Sequence, residues 1–200
     1  MSIETINVKI QGVQPLLMSN PQTVDRFNRY AKEMAAIVAK KTRRTDEDYK
    51  NMADIEVRSK IHWDDALGVY VPGTWLIAAL CKHGFTLKKI AKDKIRGCVF
   101  QTTPKIKLNY AGSDVVQTID DVVGNPRFRH QMNVKQGQIR VMKSAPMFKD
   151  WSFETELEYE NTQIDFSDLK GLFEYAAKYG GFGDFRPTYG RAKAEVTHAV

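Results

Sequence analysis

An alternation of apolar and polar residues over 151–160 constrains the fold more than any other feature of the chain. One set occupies every second position and is apolar except for a threonine: Trp151, Phe153, Thr155, Leu157 and Tyr159. Glutamates dominate the positions between them. Because successive side chains of a β-strand point to opposite faces, this pattern predicts a strand with one buried face and one acidic, wet face.

Similar patterns predict the elements of the N-terminal third. Alternating apolar residues predict a strand over 3–10. Residues 24–38 are predicted to be a helix whose apolar residues fall on one stripe: Val24, Phe27, Ala31, Met34, Ala35 and Val38. A solvated helical excursion that only packs on the core is the alternative interpretation. Thr45, followed by three acidic residues, predicts the N-cap of a second helix that fades near residue 60.

The middle of the chain predicts a hairpin and further helices. Residues 61–63 and 69–71 flank a five-residue connection, which is typical of a hairpin. Thr74 is expected to cap an apolar helix that ends at Gly84, and residues 86–94 form a second, basic helical stretch. Short strands are expected at 97–100 and 104–108.

Residues 109–147 are predicted to form a projecting arm. Residues 115–123 are interpreted as extended, and 124–126 as a turn. Two polar, basic strands, 127–134 and 138–143, meet at Gly137. An amphipathic helix over 165–179, with Gly180 at its C-cap, and a last strand over 192–198 complete the chain.

The order of elements predicts an α+β fold. Without its insertions, the chain follows a ferredoxin- or RRM-like βαββαβ plan, an antiparallel sheet with two helices on one face. The predicted organisation is a single domain over 1–200, with a helical insertion at 21–60 and a β-arm, thumb-like insertion at 109–147.

Composition narrows the functional classes. The chain has 200 residues, a net charge of +6 and only two cysteines. The positive charge favours a polyanionic partner. The sequence shows no apolar run long enough to span a membrane and no secretory signal, so we expect a cytoplasmic protein without disulfides.

A glycine-rich stretch near the C-terminus, 179–193, carries the clearest chemistry. It contains four glycines, two arginines and four aromatic rings. Glycine permits positive φ and close approach of a ligand, and successive backbone amides can form an anion site. Arg186 and Arg191 add guanidinium groups suited to phosphate. A tight turn into an edge strand is the alternative interpretation.

Three stretches in order resemble the RAMP superfamily of CRISPR RNA-binding proteins. They are the first strand with Gly12-Val13-Gln14-Pro15-Leu16, the helix start Val71-Pro72-Gly73-Thr74-Trp75-Leu76-Ile77-Ala78-Ala79-Leu80, and the loop from Gly180-Gly181 to Gly190-Arg191. Ile77 and Ala78 depart from the basic residue and glycine usual in that helix motif. The loop also resembles those of uncharacterised phage-encoded relatives of the superfamily.

The resemblance implies a non-catalytic subunit of a CRISPR-like ribonucleoprotein. Its partners would be single-stranded RNA or DNA, with guide RNA favoured, and further copies stacked head-to-tail or other subunits of the complex. No cofactor and no metal are expected. The candidate nucleic-acid-binding residues are Arg127, Phe128, Arg129, Arg140, Lys143, Gly181, Gly183, Arg186, Tyr189, Arg191, Lys40 and Arg43. The arm and the glycine stretch are expected to share one groove.

Two alternatives remain open at this point. The acidic strand face favours a phage-encoded protein-interaction module, such as a CRISPR mimic or inhibitor or a structural subunit. His130, among arginines, is the candidate for a RAMP-type endoribonuclease that uses general acid–base chemistry. The chain has no P-loop, no GxSxG and no Rossmann fingerprint.

Overall fold

The computed structural model describes residues 2–199. The chain divides into two compact units, and each is described by itself. The sheet unit comprises Met1–Leu16, Val69–Ser113 and Phe148–Val200, and the arm unit comprises Leu17–Gly68 and Asp114–Met147. The division into one domain with insertions at 21–60 and 109–147 stays a prediction.

The sheet unit contains a four-stranded antiparallel sheet. Its strands are β1 (Ile3–Gly12), β5 (Val99–Gln101), β9 (Ser152–Glu160) and β10 (Ala192–His198), in the spatial order β10-β1-β9-β5. Every neighbouring pair is antiparallel. This order and the intervening helices give the split βαββαβ arrangement of ferredoxin-like folds, as the sequence predicts.

Two helices cover one face of this sheet. Helix α3 (Thr74–Lys88) packs against α6 (Phe166–Tyr175), and α6 packs against β10. The core between them holds the inward residues of the strands, among which Trp151, Phe153, Leu157 and Tyr159 are at most 1% exposed. The alternation over 151–160 therefore sorts buried from exposed positions as predicted.

The remaining elements of the sheet unit are short. Helix α4 spans Lys92–Cys98, and β4 (Gly68–Pro72) pairs antiparallel with β6 (Lys105–Lys107). A π-helical turn, Ala176–Gly180, extends α6 to the glycine-rich stretch. The sequence predicted that helix α3 ends at Gly84, but the helix continues to Lys88. An added Cβ at Gly84 would lie 2.5 Å from Ile95 Cδ1, so this glycine permits close packing instead.

The arm unit combines three helices with a hairpin. The helices are α1 (Arg29–Val38), α2 (Asp46–Lys60) and α5 (Ile119–Gly124), and the hairpin strands are β7 (Arg129–Gln136) and β8 (Ile139–Phe148). The short strands β2 (Leu16–Leu17) and β3 (Trp63–Asp64) complete the list of strands. Thr45 caps α2 through a full capping box with Asp48, which confirms the predicted start.

Two predictions in the arm unit are wrong. Helix α1 starts at Arg29, because the Asn28 side chain accepts from the Tyr30 amide, and residues 21–24 form a 3-10 turn. The apolar stripe of this stretch is largely exposed, at 85% for Val24, 67% for Phe27 and 48% for Val38. Within α1 only Tyr30 is buried.

The second error concerns residues 115–123, which are not extended. A 3-10 turn at Ser113–Val115 precedes α5, and Thr118 and Asp121 form a capping box at its start. The Thr118 hydroxyl donates to the Asp121 carboxylate, which also accepts from two backbone amides. These reciprocal bonds stabilise a helical turn where the valines alone favour a strand.

Candidate nucleic-acid interface

The β7–β8 hairpin is regular along its whole length. Eight residue pairs run from Arg129↔Pro146 to Gln136↔Ile139, and Gly137 turns the chain with a φ of +61°. Because side chains alternate across a strand, Asn133, Lys135, Arg140 and Met142 share one face. All four of these side chains are exposed. The hairpin thus presents a cationic face to solvent.

Lys135 and Arg140 stand directly opposite each other on that face. Like charges at directly opposed positions destabilise an antiparallel pair, and a bound anion between them relieves the repulsion. Lys135 is absent from the residues selected by sequence. The sequence could have indicated Lys135, because a two-residue turn at Gly137 pairs position 135 with position 140.

The cations at the base of the hairpin are bound to groups within the arm unit. Arg129 donates to the Asp54 carboxylate and, at 3.1 Å, to the Val123 carbonyl. Lys143 Nζ lies 2.9 Å from Glu56 Oε1. Both carboxylates belong to α2, so these two cations hold the hairpin to the helix. Their charges are largely neutralised within the unit, and they contribute less to an external anion site than expected.

Phe128 is the clearest correction among the selected residues. Its ring is 1% exposed, at the end of a 3-10 turn that Asn125 caps. A buried ring is not available to stack on a base, so Phe128 is a core residue. Arg127, next to it, is exposed, while His130 lies half-buried in register with Ala145.

The basic segment between α1 and α2 also divides into structural and exposed members. Lys40 forms an ion pair with Asp48, and Arg44 donates to the Val38 carbonyl at the end of α1. Arg43 is exposed. Both residues selected here are exposed, but the Lys40 ammonium is paired with Asp48 in the first turn of α2.

The glycine stretch folds back on itself in the sheet unit. Gly181, Gly183 and Gly190 all have φ between +71° and +75°. The Phe182 amide donates to the Gly190 carbonyl at 2.9 Å, and the Gly190 amide donates to the Pro15 carbonyl at 2.8 Å. These bonds join the loop to the segment that follows β1 and fix its shape.

Several loop amides are thereby committed to the protein. The amides of Gly181, Phe182, Phe185, Tyr189 and Gly190 donate to carbonyl or carboxylate oxygens within the unit. An anion site built from those five amides, as the sequence analysis allowed, is not formed. Phe182 is buried against Trp151 and Phe153, with ring centroids 6.3 Å and 5.6 Å apart.

The cations of the loop lie beside a surface cleft. The cleft has a volume of about 380 Å³ and is lined by Val13, Glu174, Lys178, Arg191, Ala192, Lys193 and Ala194. Arg191 Nε donates to the Lys178 carbonyl at 3.0 Å, which orients the guanidinium. Three cations against one carboxylate give this cleft a positive potential that suits a phosphate.

Arg186 and Tyr189 lie on the outer part of the loop. Arg186 is exposed and Tyr189 is half-buried. Burial, together with the charges of Lys82 and Arg186, holds the pKa of His83 below its usual value. Among residues 2–199, His83 Nε2 is buried without a hydrogen-bond partner. It packs where Gly180 leaves room, 2.2 Å from an ideal Cβ at that glycine.

The uncovered face of the sheet has the opposite charge. Glu154, Glu156 and Glu158 project from β9, and β1 places Lys9, Asn7 and Thr5 opposite them. RRM proteins stack bases on aromatic residues of this face. Here the carboxylates repel a polyanion, so this face does not favour nucleic acid.

The described residues offer neither a metal site nor a membrane-spanning helix. In the described part of the chain, no group of three or more metal-binding side chains occurs. No helix of residues 2–199 has the length and apolar content that crossing a bilayer requires.

Comparison with known proteins gives a limited result. No protein-family model matches the chain, and no curated protein matches it. Among solved structures, oligomeric Cmr4 from Pyrococcus furiosus aligns over 100% of both chains, with 8% identity and a TM-score of 0.42. Cmr6 from the same organism aligns over 99% of this chain and 98% of its own, with 10% identity and a TM-score of 0.37. Likenesses this weak do not identify what the chain binds.

Proposed function

We propose that this chain binds single-stranded nucleic acid, preferably a guide RNA, without catalysing a reaction on it. It acts as a repeating subunit of a CRISPR-like ribonucleoprotein assembly. The observation that carries the proposal is the exposed hairpin face on which Lys135 and Arg140 oppose each other. Two like charges held side by side repel each other, and a phosphate between them is attracted by both.

Binding of this kind is largely independent of sequence. Lys135 and Arg140 contact phosphates, which carry no sequence information. Met142, 58% exposed on the same face, can insert between bases, and Phe185, 44% exposed on the glycine loop, can stack on one. The cleft at Arg191, Lys178 and Lys193 is a second phosphate site. Arg127, Arg43 and Arg186 add exposed positive charge.

A salt titration of binding tests the proposal. The probe is a fluorescent single-stranded RNA of mixed sequence, and the variant is Lys135→Ala/Arg140→Ala. Each neutralised phosphate contributes about 0.7 to the slope of log affinity against log salt, so the double variant lowers that slope by about 1.4. Affinity falls by roughly tenfold or more at about 100 mM salt.

Lys92→Ala/Lys94→Ala is the matched control, because it removes the same charge from exposed positions of α4. We expect it to keep the slope of the wild type. Binding that is absent at low salt, independent of salt, or equally reduced in the control overturns the proposal. The RNA recovered from the titration is intact, and cleavage of it by the wild type but not by His130→Ala supports the endoribonuclease alternative instead.

A second candidate function is protein interaction, and the acidic sheet face favours it. Glu154, Glu156 and Glu158 stand on a face that no helix of the sheet unit covers. A protein-interaction module of this type co-purifies with a protein partner and without nucleic acid. The absorbance ratio at 260 and 280 nm before and after nuclease treatment separates the two functions.

A further inference from the structure

The open face of the four-stranded sheet is acidic and carries two exposed apolar side chains. Its outward carboxylates are Glu154, Glu156, Glu158, Glu160 and Glu195, against the two ammonium groups of Lys9 and Lys193. Ile3 is 59% exposed and Phe100 is 39% exposed. Both lie on this face, since they stand opposite Glu160 and Glu158. The face is therefore an anionic surface that also exposes two apolar side chains.

Helix α1 and its flanks have complementary properties. Residues 21–45 include seven basic residues and two acidic ones. Val24, Phe27 and Val38 are exposed apolar side chains in this stretch. Arg26 lies 5.0 Å and Lys32 6.0 Å from the centroid of the Phe27 ring, so cations surround the largest of them.

We propose that α1 and the segment before it, which carries Val24, Arg26 and Phe27, dock on the open sheet face of the next copy. The inference rests on the proposed function, because it names the contact by which the subunit repeats. A helix laid on an uncovered antiparallel sheet is a standard way to complete a second layer. Phe27 and Val24 cover Ile3 and Phe100, while Arg26 and Lys32 meet the glutamates.

Charge complementarity selects a second copy as the occupant. Both surfaces belong to the same chain, and each carries an excess of the charge that the other lacks. Because the two patches differ, the contact is heterologous and leaves one free patch at each end. Such a contact joins copies head-to-tail, in a filament or in a closed ring. Nucleic acid on the sheet face is disfavoured by the same carboxylates.

The area of the open sheet face determines how strong the contact between two copies is expected to be. Four strands about 4.8 Å apart and up to about 30 Å long give a footprint on the order of 500 Å² per partner. The total of about 1,000 Å² is at the lower limit for a specific interface. We therefore expect micromolar association that weakens as salt screens the charges.

Sedimentation velocity of the purified chain, freed of nucleic acid by nuclease, tests the contact. One variant is Arg26→Glu/Lys32→Glu, and the other is Glu154→Lys/Glu156→Lys. All four side chains are exposed, so both variants are expected to fold, which circular dichroism and thermal unfolding check. At about 100 μM and low salt, the wild type forms species larger than a dimer, and each variant alone is monomeric.

An equimolar mixture of the two variants restores assembly, because every contact in it joins opposite charges. A wild type that stays monomeric overturns the inference, as do single variants that assemble like the wild type or a mixture that stays monomeric. RNA binding is measured on the same variants with an oligonucleotide of about six nucleotides, short enough for one copy. A wild type that binds RNA but stays monomeric sinks this inference alone, and a wild type that assembles but does not bind RNA sinks the RNA-binding proposal alone.

Discussion

Gly190 and Phe182 meet backbone to backbone at the centre of the glycine loop. A Cβ added to Gly190 would lie 1.8 Å from the Phe182 carbonyl oxygen, and Gly190 has a φ of +74°. The Phe182 amide also donates to the Gly190 carbonyl. Both the close contact and the left-handed backbone therefore require glycine at this position.

Replacement of Gly190 tests whether the loop depends on this contact. Gly190→Ala is expected to lower the free energy of unfolding by about 2–4 kcal/mol, because a backbone overlap adds to the strain of a positive φ. Urea unfolding measures the change. The variant also loses affinity for single-stranded RNA, since the overlap displaces Arg191, the next residue.

Gly97→Ala is the matched control for that substitution. Gly97 lies in α4, and an added Cβ there has no neighbour within 4 Å. Alanine has the higher helix propensity, so this variant is expected to gain about 0.5–1 kcal/mol. Equal stability of the two variants would contradict the role assigned to the Gly190–Phe182 contact.

Substitution of the two phenylalanines of the loop is expected to have opposite effects on stability and on RNA binding. Phe182 is 1% exposed in a cluster with Trp151 and Phe153, so Phe182→Ala should cost about 3–5 kcal/mol of unfolding free energy. Phe185 is 44% exposed. Phe185→Ala should change stability by less than about 0.5 kcal/mol and weaken RNA binding by about 1–3 kcal/mol. Fluorescence anisotropy and urea unfolding of both variants check the contrast.

The sheet and its order were predictable because their signals are local. The alternation over 151–160 fixes which side chains are buried, and the order of strands and helices admits the βαββαβ plan. The exposed face of α1 was not predictable in the same way. Amphipathicity identifies the face that gains most from burial, but it does not reveal whether another element of the chain covers it.

In the candidate site, too, features with a local sequence signal were predictable and contacts between distant residues were not. Positive φ at Gly181, Gly183 and Gly190 agrees with the expectation from their residue type. The partners of Arg129 and Lys143 are Asp54 and Glu56, more than 70 positions away along the chain, and no local pattern indicates them. A local signal that was overlooked is the Thr118–Asp121 spacing, which marks a capping box.

His62 gives the fold a dependence on pH. The side chain is 8% exposed, and burial lowers its pKa to about 4. The unfolded chain binds a proton near pH 6.5 and the folded chain near pH 4, so unfolding takes up a proton between these values. The contribution of neutral His62 to the free energy of unfolding is fully present above about pH 6.5. It decreases as the pH falls toward 4, by about 3 kcal/mol in total.

The difference between the wild type and His62→Gln isolates this contribution from that of the carboxylates. Urea unfolding at a series of pH values from about 4 to about 7.5 should show a shallower pH slope for the variant. Its backbone amide, which donates to Met18 Sδ at 3.2 Å, is unchanged by the substitution. Parallel curves for the two proteins would show that His62 does not titrate as its burial requires.

Arg127 and Arg129 are two positions apart and predict different phenotypes. Arg129 is bound to Asp54 and to the Val123 carbonyl, and its side chain is 22% exposed. Arg129→Ala leaves a half-buried carboxylate and a carbonyl without their donor, so the free energy of unfolding should fall by about 1–3 kcal/mol. Arg127 is exposed, and Arg127→Ala should leave stability within about 0.5 kcal/mol while lowering the salt slope of RNA binding by about 0.7. Thermal unfolding and the salt titration, run on both variants, separate the two roles. Equal losses of stability would contradict the assignment of Arg129 to anchoring and of Arg127 to binding.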